Sequence, residues 1–138
     1  MNTTDCELCA ASGGEVLWDD DFARVVLVGD ADHPGFCRVI LNAHCREMTD
    51  LGEAERARLM RIVYAVERLL RELLVADKIN LASFGNLVPH LHWHVIPRFL
   101  DDPHFPNAVW GPRTGGAPRA LPEGFRESLA GALRRLCT

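Results

Sequence analysis

The sequence has no surplus of positive charge. Its 138 residues carry 15 Lys and Arg against 19 Asp and Glu, a formal net charge of −4 with neutral histidines. A protein that tracks a nucleic-acid backbone does so with clustered cations, so general DNA or RNA binding is disfavoured and no nucleic acid is expected as a partner. Long apolar runs are missing too. The densest stretch, residues 69–76, is broken by Arg71 and Glu72, short of the ~18 apolar residues of a membrane span. Met1-Asn2-Thr3-Thr4-Asp5 has neither the basic nor the apolar segment of a secretory leader. The expectation is a cytoplasmic protein with no membrane partner. There are no repeats and no low-complexity tract. Five cysteines are an odd number, which argues against a disulfide framework. Cys37, Cys45 and Cys137 read as ordinary small residues of core or surface.

What is present suffices for one domain. Apolar residues make up 48% and charged residues 25%, close to a globular average. Val16-Leu17-Trp18, residues 22–28 (FARVVLV) and residues 36–41 (FCRVIL) read as strands. Leu59, Ile62, Val63, Val66, Leu69, Leu70 and Leu73 then recur at helical spacing, with charged residues on the other face. This predicts a helix over about residues 52–74, N-capped by Thr49 or Asp50 with Glu53 completing a capping box. Residues 78–84 (KINLASF) and 91–99 (LHWHVIPRF) are two more strands around a Gly85-Asn86 turn. Residues 101–124 are rich in proline and glycine and read as an irregular arm; residues 126–136 form a short terminal helix. The order implies an α+β fold, an antiparallel sheet of about five strands packed on one long helix, with 1–138 as a single domain.

The histidines are unevenly spread. His90, His92 and His94 occupy alternate positions, so on a strand all three face one side and Leu91, Trp93 and Val95 the other. Three neighbouring imidazoles need partners if neutral and repel if charged. Two chemistries use such a face. One is a metal site with imidazole ligands and a bound water. The other is nucleophilic catalysis, with one imidazole attacking phosphorus and its neighbours holding phosphate.

The stretch His90-Leu91-His92-Trp93-His94-Val95-Ile96-Pro97-Arg98 resembles the histidine triad (HIT) motif, with the Pro-Arg tail of dinucleoside polyphosphate hydrolases of that family. Other landmarks follow in order over about residues 6–110. Cys6-Glu7-Leu8-Cys9 stands where many bacterial members carry C-x-x-C. Pro34-Gly35-Phe36-Cys37-Arg38-Val39-Ile40-Leu41-Asn42-Ala43-His44 is similar to the family's P-G-H-x-L-V-I-P-K-x-H, and Val109-Trp110 to its post-motif segment. Residues 111–138, the arm and terminal helix, carry no match to these landmarks.

The resemblance implies a nucleotide hydrolase cleaving at the α-phosphorus of dinucleoside polyphosphates or related nucleotides through a nucleotidyl-histidine intermediate. His92 is then the nucleophile, its other ring proton held by a main-chain carbonyl. His94 donates to phosphate or leaving group, and His90 completes the triad. Asn86, at the family's usual Gln, and Ser83 are phosphate or leaving-group donors, or else a turn asparagine and a backbone-bonded serine. Cys6, Cys9, His44 and His90 match a structural zinc set of some bacterial members; no organic cofactor is implied. The family's nucleoside pocket maps to Val26, Val28, Gly29, Asp30 and Ala31, with Asp30 as ribose acceptor or turn aspartate. Arg98 holds phosphate or pairs with Asp101 or Asp102. His33 and His104, beside prolines, read as exposed, with His104 within reach of the site. Trp18, Trp93 and Trp110 read as core or interface. A two-fold homodimer is implied.

Three departures matter. Phe36 replaces a histidine that supports the triad. Asn42 and Ala43 remove a positive charge near the phosphate. The turn from Ser83 to Pro89 is shorter than the family's loop. Other readings stay open: a nucleoside phosphoramidase, a metal-dependent hydrolase on the three strand histidines, or a non-catalytic nucleotide-binding module.

Overall fold

The computed structural model describes residues 5–137; residues 1–4, most of the stretch read above for a leader, and residue 138 lie outside the described residues. Strands β1 (Glu15–Asp19), β2 (Ala23–Leu27), β3 (Cys37–Leu41), β4 (Lys78–Ala82) and β5 (His92–Arg98) form one sheet in the order β1-β2-β3-β5-β4. Every neighbouring pair is antiparallel. A short helix α1 (Glu7–Ala10) precedes the sheet, the long helix α2 (Glu53–Leu74) connects β3 to β4, and α3 (Phe125–Cys137) ends the chain. Among the described residues no helix is long and apolar enough to cross a membrane.

Alternation along the strands divides the sheet into two faces. Ala23, Val25, Leu27, Cys37, Val39, Leu41 and Val95 join Leu59, Ile62, Val63, Val66 and Leu70 of α2 and Leu129 and Leu133 of α3 in the main core. Each Val, Leu or Ile side chain among them contributes roughly 1.5–3 kcal/mol on burial. Burial also pushes the Cys37 thiol up to about 12, so it is inert. The opposite face carries Val26 and Ile40, which pack with Cys6 and Leu8 in a small second cluster. Arg38, His92, His94 and Arg98 share this face by strand parity.

The helix start differs from the expectation. Thr49 and Asp50 lie in a separate turn of 3-10 helix (Met48–Asp50). Gly52 is the N-cap, and its N–H donates to the Glu55 carboxylate at 3.0 Å. A glycine N-cap supplies no side-chain acceptor, so only half of a capping box forms. At the other end Val75 adopts a left-handed conformation (φ 51) and its N–H closes on the Arg71 carbonyl.

Arg24 fastens the N-terminal segment to the second face. Its guanidinium donates to the carbonyls of Leu8, Ala11 and Ser12 and to Asn42 Oδ1. Asn42, where the sequence comparison loses a cation, is therefore a structural joint; its amide also donates to the Asp20 carbonyl.

Candidate active site and metal centre

Strand β5 begins at His92, not His90. The preceding residues bend, so His90 leaves the alternation that unites His92 and His94. Its ring is fully buried and turns toward the N-terminal segment. Nε2–H donates to the Leu41 carbonyl at 2.6 Å, which leaves Nδ1 as a lone-pair donor facing Cys6 Sγ at 3.2 Å and Cys9 Sγ at 3.5 Å. Cys9 Sγ also lies 3.4 Å from His44 Nδ1. The four donor atoms of Cys6, Cys9, His44 and His90 all lie within 4.8 Å of one another. Two thiols and two imidazoles at these separations suit a closed tetrahedral zinc site. The Leu41 carbonyl gives His90 the outer hydrogen bond that ligating histidines usually have. The triad does not present its three rings together: His90 Nδ1 faces the two thiols, whereas His92 and His94 line a cavity that His90 does not.

His90 takes part in the second site through its backbone. Its carbonyl accepts the Nδ1–H of His92 at 2.6 Å. This fixes the tautomer, so Nε2 of His92 carries the free lone pair. The Ser83 hydroxyl donates to the His92 carbonyl at 2.8 Å and so steadies the same residue from β4's end. Ser83 is thus backbone-bonded, and it does not line the cavity in front of His92. That cavity, about 440 Å³, is lined by Arg38, residues 84–88, His92, His94 and Trp110. Asn86 lies on its wall.

His94 is 5% exposed and stands 5.0 Å from His92, ring centre to ring centre. Phe36 meets it edge-on at 5.5 Å and Trp110 at 5.0 Å. Phe36 therefore replaces the missing histidine with an apolar ring, and His94 Nδ1 is buried without a partner. Burial, together with the nearby His92 and Arg38, pushes the His94 pKa down to about 4. Burial lowers His92 as well, against the His90 carbonyl that favours its protonated form. Both rings are neutral near pH 7, and only a neutral imidazole is a nucleophile.

Several other residues fall elsewhere. Arg98 is 2% exposed and binds Asp102 through Nε at 2.8 Å and NH2 at 3.1 Å, with NH1 on Asn80. Of its two expected roles, pairing with Asp102 is the one realised. Asp102 also accepts the N–H groups of Phe99, His104 and Phe105. Burial alone would raise its pKa; Arg98 and these amides outweigh it and hold the carboxyl well below the usual range. His33 and His104 are 2% and 6% exposed, contrary to expectation, and their rings meet at 2.9 Å (Nε2 to Nδ1). Asp30 accepts the N–H groups of Asp32 and His33 in an Asx turn. Val26 is completely buried and open to no ligand. Trp18 is core; Trp110, at 55% exposure, is a wall of the cavity. Arg38 is the cavity residue that sequence reasoning passed over. Its setting in the sequence, one arginine in the apolar strand Cys-Arg-Val-Ile-Leu, is shared by Arg24 in Ala-Arg-Val-Val-Leu, which holds the N-terminal segment instead.

A family model for the HIT domain matches residues 12–101. A histidine triad protein from Bradyrhizobium japonicum is 32% identical, with a TM-score of 0.72 and 92% of both chains covered. One from Marinobacter aquaeolei is 30% identical, with a TM-score of 0.71 over 95% of this chain and 93% of that one. A zinc-bound histidine triad family protein from Mycobacterium smegmatis shares the fold at 24% identity, with a TM-score of 0.65 over 98% of this chain and 97% of that one. An AP-4-A phosphorylase from Mycobacterium tuberculosis is 28% identical over 102 residues, 70% of this chain and 49% of that protein. The chain spans about half the length of the curated relatives it matches. The protein belongs to the HIT family.

Proposed function

We propose that this chain is a nucleotide hydrolase that cleaves at the α-phosphorus through a nucleotidyl intermediate on His92. The observation that carries this reading is the 2.6 Å bond from His92 Nδ1–H to the His90 carbonyl. It leaves Nε2 unprotonated, and the ring borders the cavity. Nε2 attacks phosphorus; a P–N bond forms and the bond from phosphorus to the leaving group breaks, its electron pair departing with that group. Water then attacks the same phosphorus, the P–N bond breaks, and nucleoside monophosphate leaves with His92 restored. His94 and Asn86 donate hydrogen bonds to phosphate or leaving-group oxygens where charge builds. The Pro97-Arg98 tail and the distant AP-4-A phosphorylase relative favour dinucleoside polyphosphates as the substrate class.

We further infer that Cys6, Cys9, His44 and His90 hold a structural zinc. A zinc with four protein ligands keeps no open position for catalysis; it supplies cross-linking of the N-terminal segment to the sheet. A single HIT unit over the whole chain, cytoplasmic and assembled as a homodimer, belongs to the same reading.

The test is rapid quenching during turnover of diadenosine polyphosphates and adenosine phosphoramidate, followed by mass analysis. A nucleotidyl adduct on His92, with turnover lost by at least ~10³-fold in His92→Ala, is expected. Undiminished turnover in His92→Ala overturns the assignment. Preference for the phosphoramidate identifies the enzyme as a phosphoramidase instead.

A further inference from the structure

We propose that Arg38 is the anion ligand of the cavity, its guanidinium binding the non-bridging oxygens of the phosphoryl group presented to His92. The inference rests on the functional reading above and names the group that fixes the phosphate.

Position is the first argument. Arg38 lies on β3, directly across from His94 in the β3–β5 register and on the same face of the sheet. It lines the cavity with His92 and His94 and is the one Lys or Arg that does so. Walls from Phe84, Leu87 and Trp110 lower the local dielectric, which strengthens any charge pair formed on the floor.

The second argument is that folding leaves this guanidinium incomplete. Arg24 is bonded to four oxygens, and Arg58, Arg98, Arg113, Arg119 and Arg126 each pair with a carboxylate. Arg38 has a long 3.3 Å bond from NH1 to the Gly13 carbonyl, and its Nε is buried with no partner. Among the described residues no carboxylate reaches it. Five N–H donors in a fixed fork match a phosphate, and on this half-buried side chain a buried Nε with no acceptor costs the fold stability. A phosphate completes the set. Neutral His94 supplies no fixed charge, so Arg38 is the cationic side chain that lines this cavity.

The experiment compares wild type, Arg38→Leu and Arg38→Lys as full-length, metal-loaded protein. Calorimetry measures adenosine monophosphate, adenosine and inorganic phosphate binding, thermal denaturation is recorded without ligand, and kcat and KM are determined. Arg38→Leu should lose about 30-fold in adenosine monophosphate affinity, leave adenosine affinity within about twofold, and hold or raise the ligand-free midpoint. Arg38→Lys should recover part of the loss. Inorganic phosphate binding that disappears in Arg38→Leu assigns the contact to phosphate alone; loss confined to the nucleotide assigns it to the bound phosphoester. Equal losses for adenosine and its monophosphate, or a lowered midpoint with unchanged affinity, overturn the proposal and leave Arg38 as a strut for Gly13. If wild type forms the His92 adduct and Arg38→Leu matches its kcat and KM, this inference fails and the hydrolase reading stands. If Arg38 governs phosphate affinity but no adduct forms, the hydrolase reading fails and this inference stands. A wild type that binds neither nucleotide nor phosphate overturns it.

Discussion

Two buried polar clusters share one face of β5, and they are finished to different degrees. Around Arg98, the carboxylate of Asp102 gathers a guanidinium and three backbone amides, and His33 pairs with His104. None of these four side chains has a buried polar atom without a partner. Around His92, the atoms that lack partners are Arg38 Nε and His94 Nδ1; two others lie apart, Trp93 Nε1 on the opposite face of β5 and His44 Nε2 in the Cys6, Cys9, His44 and His90 set. Buried polar groups are normally paired because an unmade hydrogen bond costs about 1–3 kcal/mol. A closed cluster stabilises the fold; an open one keeps its bonds for a ligand. The difference separates architecture from site without reference to any relative.

The contrast is broken most directly at Asp102. Asp102→Ala leaves Arg98 charged and unpaired in the interior and frees three amides, so a loss of about 3–5 kcal/mol is expected in urea denaturation. A cost below about 1 kcal/mol would show that the closed cluster is no keystone.

Acid titration should come next in size. Between about pH 6.5 and 4 the unfolded chain carries a proton on His94 that the folded chain does not, so stability falls as pH drops through this window. The loss is on the order of 3 kcal/mol, with the slope flattening below about pH 4. His33, lowered by its own burial, adds to the same slope. Asp102 acts in the opposite range: its contribution is present above the ordinary carboxylate pKa and is lost only in strong acid. His94→Phe should flatten the slope measurably; an unchanged slope would remove His94 from the account.

Cys6→Ala should lower stability by about 2 kcal/mol and abolish stoichiometric zinc by metal analysis, while kcat falls less than tenfold. Zinc-free wild-type protein prepared without chelator would remove the metal. The smallest effect is expected for Trp110→Ala: stability unchanged within about 0.5 kcal/mol and nucleotide affinity reduced several-fold, as loss of one aromatic wall worth about 1 kcal/mol. Unchanged affinity would mean that the ring does not touch the ligand.

Much of this was legible in the residues. The β-branched runs yielded all five strands, and three-and-four spacing yielded α2 to within a residue. The pairing of Cys6 and Cys9 with His44 and His90 followed from the resemblance and appears in the geometry. The failures share a cause. Strand alternation was applied to His90, but it holds only where the chain is a strand, and β5 starts two residues later. His33 and His104 read as exposed from their neighbouring prolines, whereas their burial depends on a contact across 71 positions. Arg38 went unremarked because one arginine among apolar strand residues has no local signature of the empty space before it. Thr49 lost the helix cap to Gly52 because the intervening turn of 3-10 helix is a matter of backbone hydrogen bonding, invisible to residue preference.

The four oxygens held by Arg24 have a consequence for the metal set. Two of its members, Cys6 and Cys9, sit on a segment outside the sheet, and the other two, His44 and His90, on the sheet's border. Without a tie, metal binding would have to gather the two halves and bear the entropy of ordering the segment. With Leu8, Ala11 and Ser12 already gripped by one guanidinium, the thiols stand at high effective concentration beside the imidazoles. A chelate at this set would be preassembled by a residue that contributes no donor atom to it.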